Sequence, residues 1–136
     1  MVPLEKESSK ATDDFSKNKK KILIVDDDET ILYILRRFFI GEGFEVFVAK
    51  DGLEAIERVR EEKPALVLTD IKMPSFSGID LIKFIRQNMK GIPIVAMTAY
   101  PHLYSEKKRG NEVEGYFVKP FDINEMLSSI EKIIGG

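Results

Sequence analysis

The chain lacks cysteine and tryptophan and contains a single histidine among its 136 residues. The absence of cysteine excludes disulfides, thiolate zinc sites and cysteine nucleophiles, and it is compatible with a reducing cytosol. The sequence also has no apolar run long enough to cross a bilayer, and residues 1–20 lack the apolar core of a secretory signal. We therefore expect a cytoplasmic location and no membrane insertion.

Neither sign of charge is in large excess. The chain has 21 basic and 23 acidic residues, so its net charge is only -2 at pH 7. Domains that bind nucleic acid carry a basic patch or stripe, and this sequence gives no such footprint. We expect no nucleic-acid binding within this chain.

Composition divides the chain into two segments. Residues 1–20 mix five lysines with four acidic residues and offer little apolar surface. Such a segment cannot offset the entropy that is lost on ordering it, so we expect a disordered tail or linker. Residues 21–136 have the length and composition of one folded domain.

From residue 21 onward, short apolar runs alternate with amphipathic, helix-like stretches. Such runs are typical of strands buried on both faces of a parallel sheet. The alternation predicts a flavodoxin-like α/β fold, a doubly wound (βα)5 three-layer sandwich with sheet order 2-1-3-4-5. The second of the five helices is expected to bury Leu53, Ile56 and Val59, and a weakly apolar fourth helix is expected at about 101–110. The predicted strands span about 21–26, 44–49, 65–70, 92–98 and 115–119.

Polar side chains end four of these five strands. In chain order they are Asp26 with Asp27, Asp70, Thr98 and Lys119. Parallel strands all point one way, so their carboxyl ends meet at the sheet edge where ligands bind in open α/β folds. The sequence therefore predicts one site that contains three carboxylates, a hydroxyl and an ammonium.

These residue types permit phosphoryl transfer. Neighbouring carboxylates raise one another's pKa, and a divalent cation relieves their repulsion. An all-oxygen donor set without histidine or cysteine favours Mg²⁺. A carboxylate can also attack phosphorus as a nucleophile, while a lysine and a hydroxyl stabilise the phosphoryl oxygens. The chain has no P-loop, so the phosphoryl group must arrive already activated.

Four motifs occur in a fixed order along the chain: KILIVDDD at 21–28, LTDIKMP at 68–74, Thr98 with Ala99, and VKPF at 118–121. Together they resemble the receiver domain of two-component response regulators, over about residues 21–134. The resemblance fits a single-domain regulator similar to chemotaxis regulators, or the C-terminal receiver of a hybrid histidine kinase. The end of the chain, just after the last predicted helix, leads us to expect no output domain.

The resemblance assigns roles to the site residues. It implies that Asp70 is the phosphoacceptor, which takes a phosphoryl group from a histidine-kinase phosphohistidine. It implies that Mg²⁺ is bound by Asp27 directly, by Asp26 largely through water, and by Asp70 and the backbone carbonyl of Lys72. The chain would catalyse only its own phosphorylation and dephosphorylation, so it is expected to be a signalling protein rather than an enzyme.

The resemblance also implies a switch and partners. Thr98 would donate a hydrogen bond to the phosphoryl group, Lys119 would pair with it, and Tyr116 would occupy the aromatic switch position. The Lys119–Pro120 bond is often cis in this family. The donor would be a sensor histidine kinase or a phosphotransfer protein, and a downstream protein would bind the face of the fourth helix, fifth strand and fifth helix. Tyr100, two residues past Thr98, predicts slow loss of phosphate because it could block the attacking water.

A second interpretation competes with this one. Residues 26–30 fit the D-x-D-x-T pattern of haloacid-dehalogenase-type phosphatases, which would make Asp26 the nucleophile and Asp28 the acid and base. Two features oppose a phosphatase: no acidic pair follows a later strand, and Asp70 would have no role. In the receiver interpretation, Asp28 is expected only to cap the first helix.

Overall fold

Five parallel strands form a single sheet in the order β2-β1-β3-β4-β5. The computed structural model describes residues 19–103 and 112–135. The order confirms the predicted flavodoxin-like topology, and each strand begins and ends within two residues of its predicted bounds. The strands are β1 (Lys21–Val25), β2 (Glu45–Ala49), β3 (Leu66–Asp70), β4 (Ile94–Thr98) and β5 (Gly115–Val118).

Helices cover both faces of the sheet. They are α1 (Glu29–Gly41), α2 (Gly52–Glu62), α3 (Gly78–Asn88) and α4 (Ile123–Gly135). Helix α4 is the fifth predicted helix, because the predicted fourth is described only as a 3-10 helix at Pro101–Leu103. The rest of that prediction, and nearly all of the predicted tail, lie outside the described residues. No described helix is long and apolar enough to span a membrane.

The two faces of the sheet build separate cores because side chains alternate along each strand. On β1, Leu23 and Val25 face α2 and α3, whereas Ile22 and Ile24 face α1 and α4. All four side chains are buried, as expected for a central strand covered on both faces. This arrangement fixes the ends of β1 and β3 next to each other, since Val25 pairs with Thr69.

One predicted core residue is wrong. Leu53 was expected to face inward, but its side chain is 61% exposed. The buried face of α2 is formed by Gly52, Ala55 and the predicted Val59, at spacings of three and four residues. Leu53 lies one position further around the helix, and Gly52 takes the inward place in the first turn.

Candidate functional site

Three carboxylates converge at the carboxyl edge of the sheet. Oxygen atoms of Asp26, Asp27 and Asp70 lie within 4.8 Å of one another. Asp26 follows β1 and Asp70 ends β3, so the adjacency of these two strands brings the acids together. Asp26 and Asp70 are buried and Asp27 is exposed, which leaves the cluster open to solvent on one side.

Backbone hydrogen bonds hold the two buried acids in place. The amide of Asp26 donates to the carbonyl of Ala49 at 3.1 Å, and its carboxylate accepts from the amide of Asp28 at 2.9 Å. The carboxylate of Asp70 accepts from the amide of Ile71 at 3.0 Å. Asp28 turns away to cap α1, where its side chain accepts from the amides of Thr30 and Ile31.

Lys119 supplies the positive charge of the site. Its Nζ lies 2.7 Å from Oδ2 of Asp26 and 3.5 Å from Oδ1 of Asp70, and its side chain is only 18% exposed. The amide of Lys119 donates to the carbonyl of Thr98 at 2.8 Å, which ties this residue to the end of β4. The Lys119–Pro120 peptide bond is cis, the isomer that the resemblance to receiver domains led us to expect.

Burial sets the electrostatics of the acids. It raises the pKa of Asp70 from 3.8 to about 6, and the charge of Asp26 adds to this effect. Burial also raises the pKa of Asp26, although the hydrogen bond from Lys119 opposes it. Burial alone would lower the pKa of Lys119. The hydrogen bond to Asp26 and the negative charges of Asp26 and Asp70 outweigh burial, so the pKa of Lys119 is raised. One ammonium therefore does not fully compensate three carboxylates.

The other predicted site residues lie in different settings. Thr98 is fully buried at the end of β4, and its Oγ1 accepts a hydrogen bond from the amide of Tyr100 at 2.9 Å. Among the described residues, the walls of the acidic cleft include Ala99 and Tyr100 but not Thr98. Tyr116 is partly buried on β5 and packs against the core on the α2 and α3 side.

Lys72 and Tyr100 meet at the rim of the cleft. The Lys72 Nζ lies 4.6 Å from the centre of the Tyr100 ring, within the range of a cation–π interaction. Met73 and Pro74 form the same wall as Lys72, a part of the site that the sequence analysis did not assign. Their place next to Lys72 in the second motif was the available signal.

The donor set fits a hard divalent cation. The three carboxylates offer only oxygen atoms, and Lys72 lies on the wall of the cleft that they form. Mg²⁺ prefers such oxygen ligands and takes one or two carboxylates while it keeps several waters. Burial raises the pKa values of Asp26 and Asp70 because it disfavours their ionised forms, and a bound cation would stabilise those forms.

Comparison with known proteins assigns the family. Residues 22–131 match the model of the response regulator receiver domain. The chain belongs to this family. It is 38% identical over 106 residues to sporulation initiation phosphotransferase F of Bacillus subtilis (strain 168), covering 76% of this chain and 85% of that protein. It is 30% identical over 105 residues to the polar-differentiation response regulator DivK of Brucella anthropi, covering 75% and 85%.

Solved receiver structures have the same fold. Response regulator protein TrrA from Thermotoga maritima, in complex with Mg²⁺-BeF, superimposes with a TM-score of 0.77 at 33% identity, covering 84% of this chain and 98% of that one. A CheY-like receiver protein from Methanospirillum hungatei gives a TM-score of 0.82 at 29% identity, covering 87% and 95%. The chain is a receiver domain of two-component signalling, and the family match decides against the phosphatase interpretation.

Proposed function

We propose that Asp70 accepts a phosphoryl group from the phosphohistidine of a sensor histidine kinase or phosphotransfer protein. The observation that carries this proposal is the convergence of three carboxylates and Lys119 at one edge of a parallel sheet. Of the three acids, Asp70 ends the central strand β3, and its carboxylate lies 3.5 Å from the Nζ of Lys119. The similarity to a named phosphotransferase supports a place in a phosphorelay.

The reaction is a displacement at phosphorus. A carboxylate oxygen of Asp70 forms the new bond to phosphorus while the bond to the donor imidazole breaks, and the imidazole nitrogen leaves with the electron pair. With a pKa of about 6, Asp70 is mostly ionised at neutral pH and is available as the nucleophile. The partly buried ammonium of Lys119 would offset the negative charge that the phosphoryl oxygens bring.

The metal site would use the same acids. Asp26, Asp27, Asp70 and the backbone carbonyl of Lys72 would hold Mg²⁺, which when bound supplies positive charge to the phosphoryl oxygens. The Mg²⁺-BeF complex of the Thermotoga relative supports this choice of ion. The chain's own contribution is to hold the three carboxylates within 4.8 Å of one another.

The phosphorylated site would then change a binding surface. Thr98 would hydrogen-bond the phosphoryl group and Tyr116 would move with it, which biases the face that includes β5 and α4 toward a downstream protein. Residues 1–20 would serve as a tail or linker to the receiver domain at 21–136. Autocatalysis would be limited to the gain and slow loss of the phosphoryl group on the chain itself.

Intact-protein mass spectrometry with acetyl phosphate tests the proposal. We expect the wild-type chain to gain one phosphoryl group in the presence of Mg²⁺ and none when EDTA removes the metal. The Asp70→Asn variant keeps the shape of the side chain but loses the nucleophile, so it should stay unmodified. Glu61→Gln, which changes an exposed carboxylate near the end of α2, serves as the control and should be modified like wild type.

Two results would contradict the proposal. One is phosphorylation of Asp70→Asn to the wild-type extent, which would place the modification elsewhere. The other is a wild-type chain that remains unmodified by acetyl phosphate and by phosphorylated histidine proteins alike.

A further inference from the structure

The loop between β3 and α3 forms one wall of the acidic cleft. It runs from residue 71 to residue 77 and contributes Lys72, Met73 and Pro74 to that wall. Hydrogen bonds fix both ends: the amide of Ile71 donates to the carbonyl of Met97, and the amide of Gly78 donates to the carbonyl of Ile71. The capping box between Ser77 and Asp80 adds to the hold on the second end. Among the described hydrogen bonds none involves the backbone from Lys72 to Phe76, so we infer that packing positions the Lys72 carbonyl.

Phe76 provides that packing by resting on Gly52, the first residue of α2. A Cβ atom added to Gly52 would overlap the Phe76 ring and would lie 2.6 Å from the carbonyl oxygen of Phe76. A rotamer change could move the ring, but only a shift of the loop backbone could move the carbonyl. The absence of a side chain at Gly52 therefore determines how closely the loop approaches α2.

The connection that carries Gly52 also supports the opposite side of the cluster. It joins β2 to α2, and its Ala49 carbonyl accepts the hydrogen bond from the amide of Asp26. Two hydrogen bonds stiffen this connection, because the amide of Lys50 donates to the side chain of Glu54 and the amide of Glu54 donates to the side chain of Asp51. Residues 49–52 thus contact both the strand end with Asp26 and the loop with Lys72.

We propose that Gly52 is a positioning residue for the metal site, because its close contact with Phe76 sets the distance between the Lys72 carbonyl and the carboxylates. This inference rests on the proposed function, in which that carbonyl is a ligand. Residues that orient metal ligands without touching the ion change metal affinity by about 10- to 100-fold when they are substituted.

A Mg²⁺ titration by calorimetry tests the inference on the 136-residue chain. We expect Gly52→Ala to bind Mg²⁺ about tenfold more weakly than wild type. Phe76→Ala removes the same contact from the loop side without creating a steric overlap, so it should also weaken Mg²⁺ binding by several-fold. Gly41→Ala is the matched control, since an added Cβ at Gly41 meets no atom within 4 Å. Its affinity should equal that of wild type.

Urea unfolding of the same samples separates positioning from stability. If Gly52→Ala does not fold, Phe76→Ala alone decides the question. Variants that lose stability but bind Mg²⁺ as tightly as wild type would overturn the inference and leave the proposed function intact. A wild-type chain that binds no Mg²⁺ would overturn the inference together with the metal part of the proposed function.

Discussion

The two edges of the sheet differ in how fully the charges of their side chains are compensated. At the carboxyl edge, Asp26, Asp27 and Asp70 crowd around Lys119, and burial raises the pKa of Asp26 and of Asp70. At the amino edge, Arg86 of α3 donates to the carbonyls of Glu112 and Ile92 and to the carboxylate of Glu114, all at 2.7 to 2.8 Å. Glu114 accepts a further bond from the amide of Ile94.

This difference separates stability from function within one fold. The guanidinium of Arg86 donates three hydrogen bonds, so it connects α3 with the residues that precede β4 and β5. At the carboxyl edge, by contrast, three carboxylates lie close together and Lys119 offsets only part of their negative charge. Functional sites often break the rules that the rest of a protein obeys, and the remaining structure compensates for them. The amino edge is therefore expected to stabilise the fold, and the carboxyl edge to destabilise it until a cation binds.

The largest effect is expected at the amino edge. Arg86→Met should lower the free energy of unfolding by about 3 kcal/mol, because it removes three charge-assisted hydrogen bonds and leaves backbone carbonyls without that donor. Urea unfolding measures the change. Lys83→Met, an exposed substitution on the same helix, should change stability by less than about 0.5 kcal/mol. A loss below about 1 kcal/mol in Arg86→Met would show that this cluster does not anchor the sheet.

The opposite sign is expected at the carboxyl edge. In metal-free solution the pKa of Asp70 is about 6 in the folded state, whereas the ordinary value of 3.8 applies to the unfolded state. Between these values the folded state binds more protons, so the free energy of unfolding decreases as pH rises through this window. Asp70→Asn removes the penalty and should be about 2 kcal/mol more stable than wild type at about pH 8.

The pH dependence provides the control for this prediction. Near pH 4 the aspartic acid of wild type and the asparagine of the variant are both uncharged at position 70 in the folded state. The difference in the free energy of unfolding between Asp70→Asn and wild type should therefore largely disappear. Urea unfolding in EDTA at the two pH values measures it. An asparagine variant that is less stable than wild type at the higher pH would contradict the account.

A smaller, kinetic effect is expected at the rim of the acidic edge. Tyr100 lies under the Lys72 ammonium on the wall of the cleft. If Asp70 carries the phosphoryl group as proposed, the Tyr100 ring would hinder the water that hydrolyses the aspartyl phosphate. Tyr100→Ala should therefore lose phosphate about fivefold faster, which corresponds to about 1 kcal/mol in the barrier. Tyr33→Ala, on an exposed part of α1, is the control. Equal or slower decay in Tyr100→Ala would make the hypothesis of a blocking tyrosine wrong.

The smallest effect is expected from a second ion pair at the amino edge. Lys21 lies 3.4 Å from the carboxylate of Glu62, and their side chains are 39% and 25% exposed. Exposed pairs of this kind contribute little, so Lys21→Met should change the free energy of unfolding by less than about 0.5 kcal/mol. A loss as large as that of Arg86→Met would mean that ion pairs in general, rather than the Arg86 cluster, stabilise this edge.

The sequence predicted the acidic edge better than the amino edge, and the reason is physical. Buried parallel strands leave a clear apolar pattern, and the residues that follow them must meet at one edge, so the proximity of Asp26, Asp27 and Asp70 could be predicted. Arg86 could not be assigned in the same way. Its partners Glu112 and Glu114 are 26 and 28 residues away, and no pattern in the chain indicates such a reach.

The first turn of α2 shows a second limit of sequence patterns. Apolarity predicted an inward Leu53, but Gly52 faces inward because Phe76 from a distant loop occupies the space in front of it. Helical periodicity identifies candidate faces, whereas the neighbour that covers a face decides between adjacent positions. The predicted fourth helix remains a prediction beyond Leu103, since residues 104–111 lie outside the described part of the chain.

Mapping the modified residue tests the central claim most directly. The chain is phosphorylated with acetyl phosphate and Mg²⁺, the acyl phosphate is reduced with borohydride, and the peptides are sequenced by mass spectrometry. The account predicts that Asp70, and no other carboxylate, is converted to homoserine. Conversion of Asp26 or Asp27 with Asp70 unchanged would contradict it, because the nucleophile would then lie on the β1 side of the cluster.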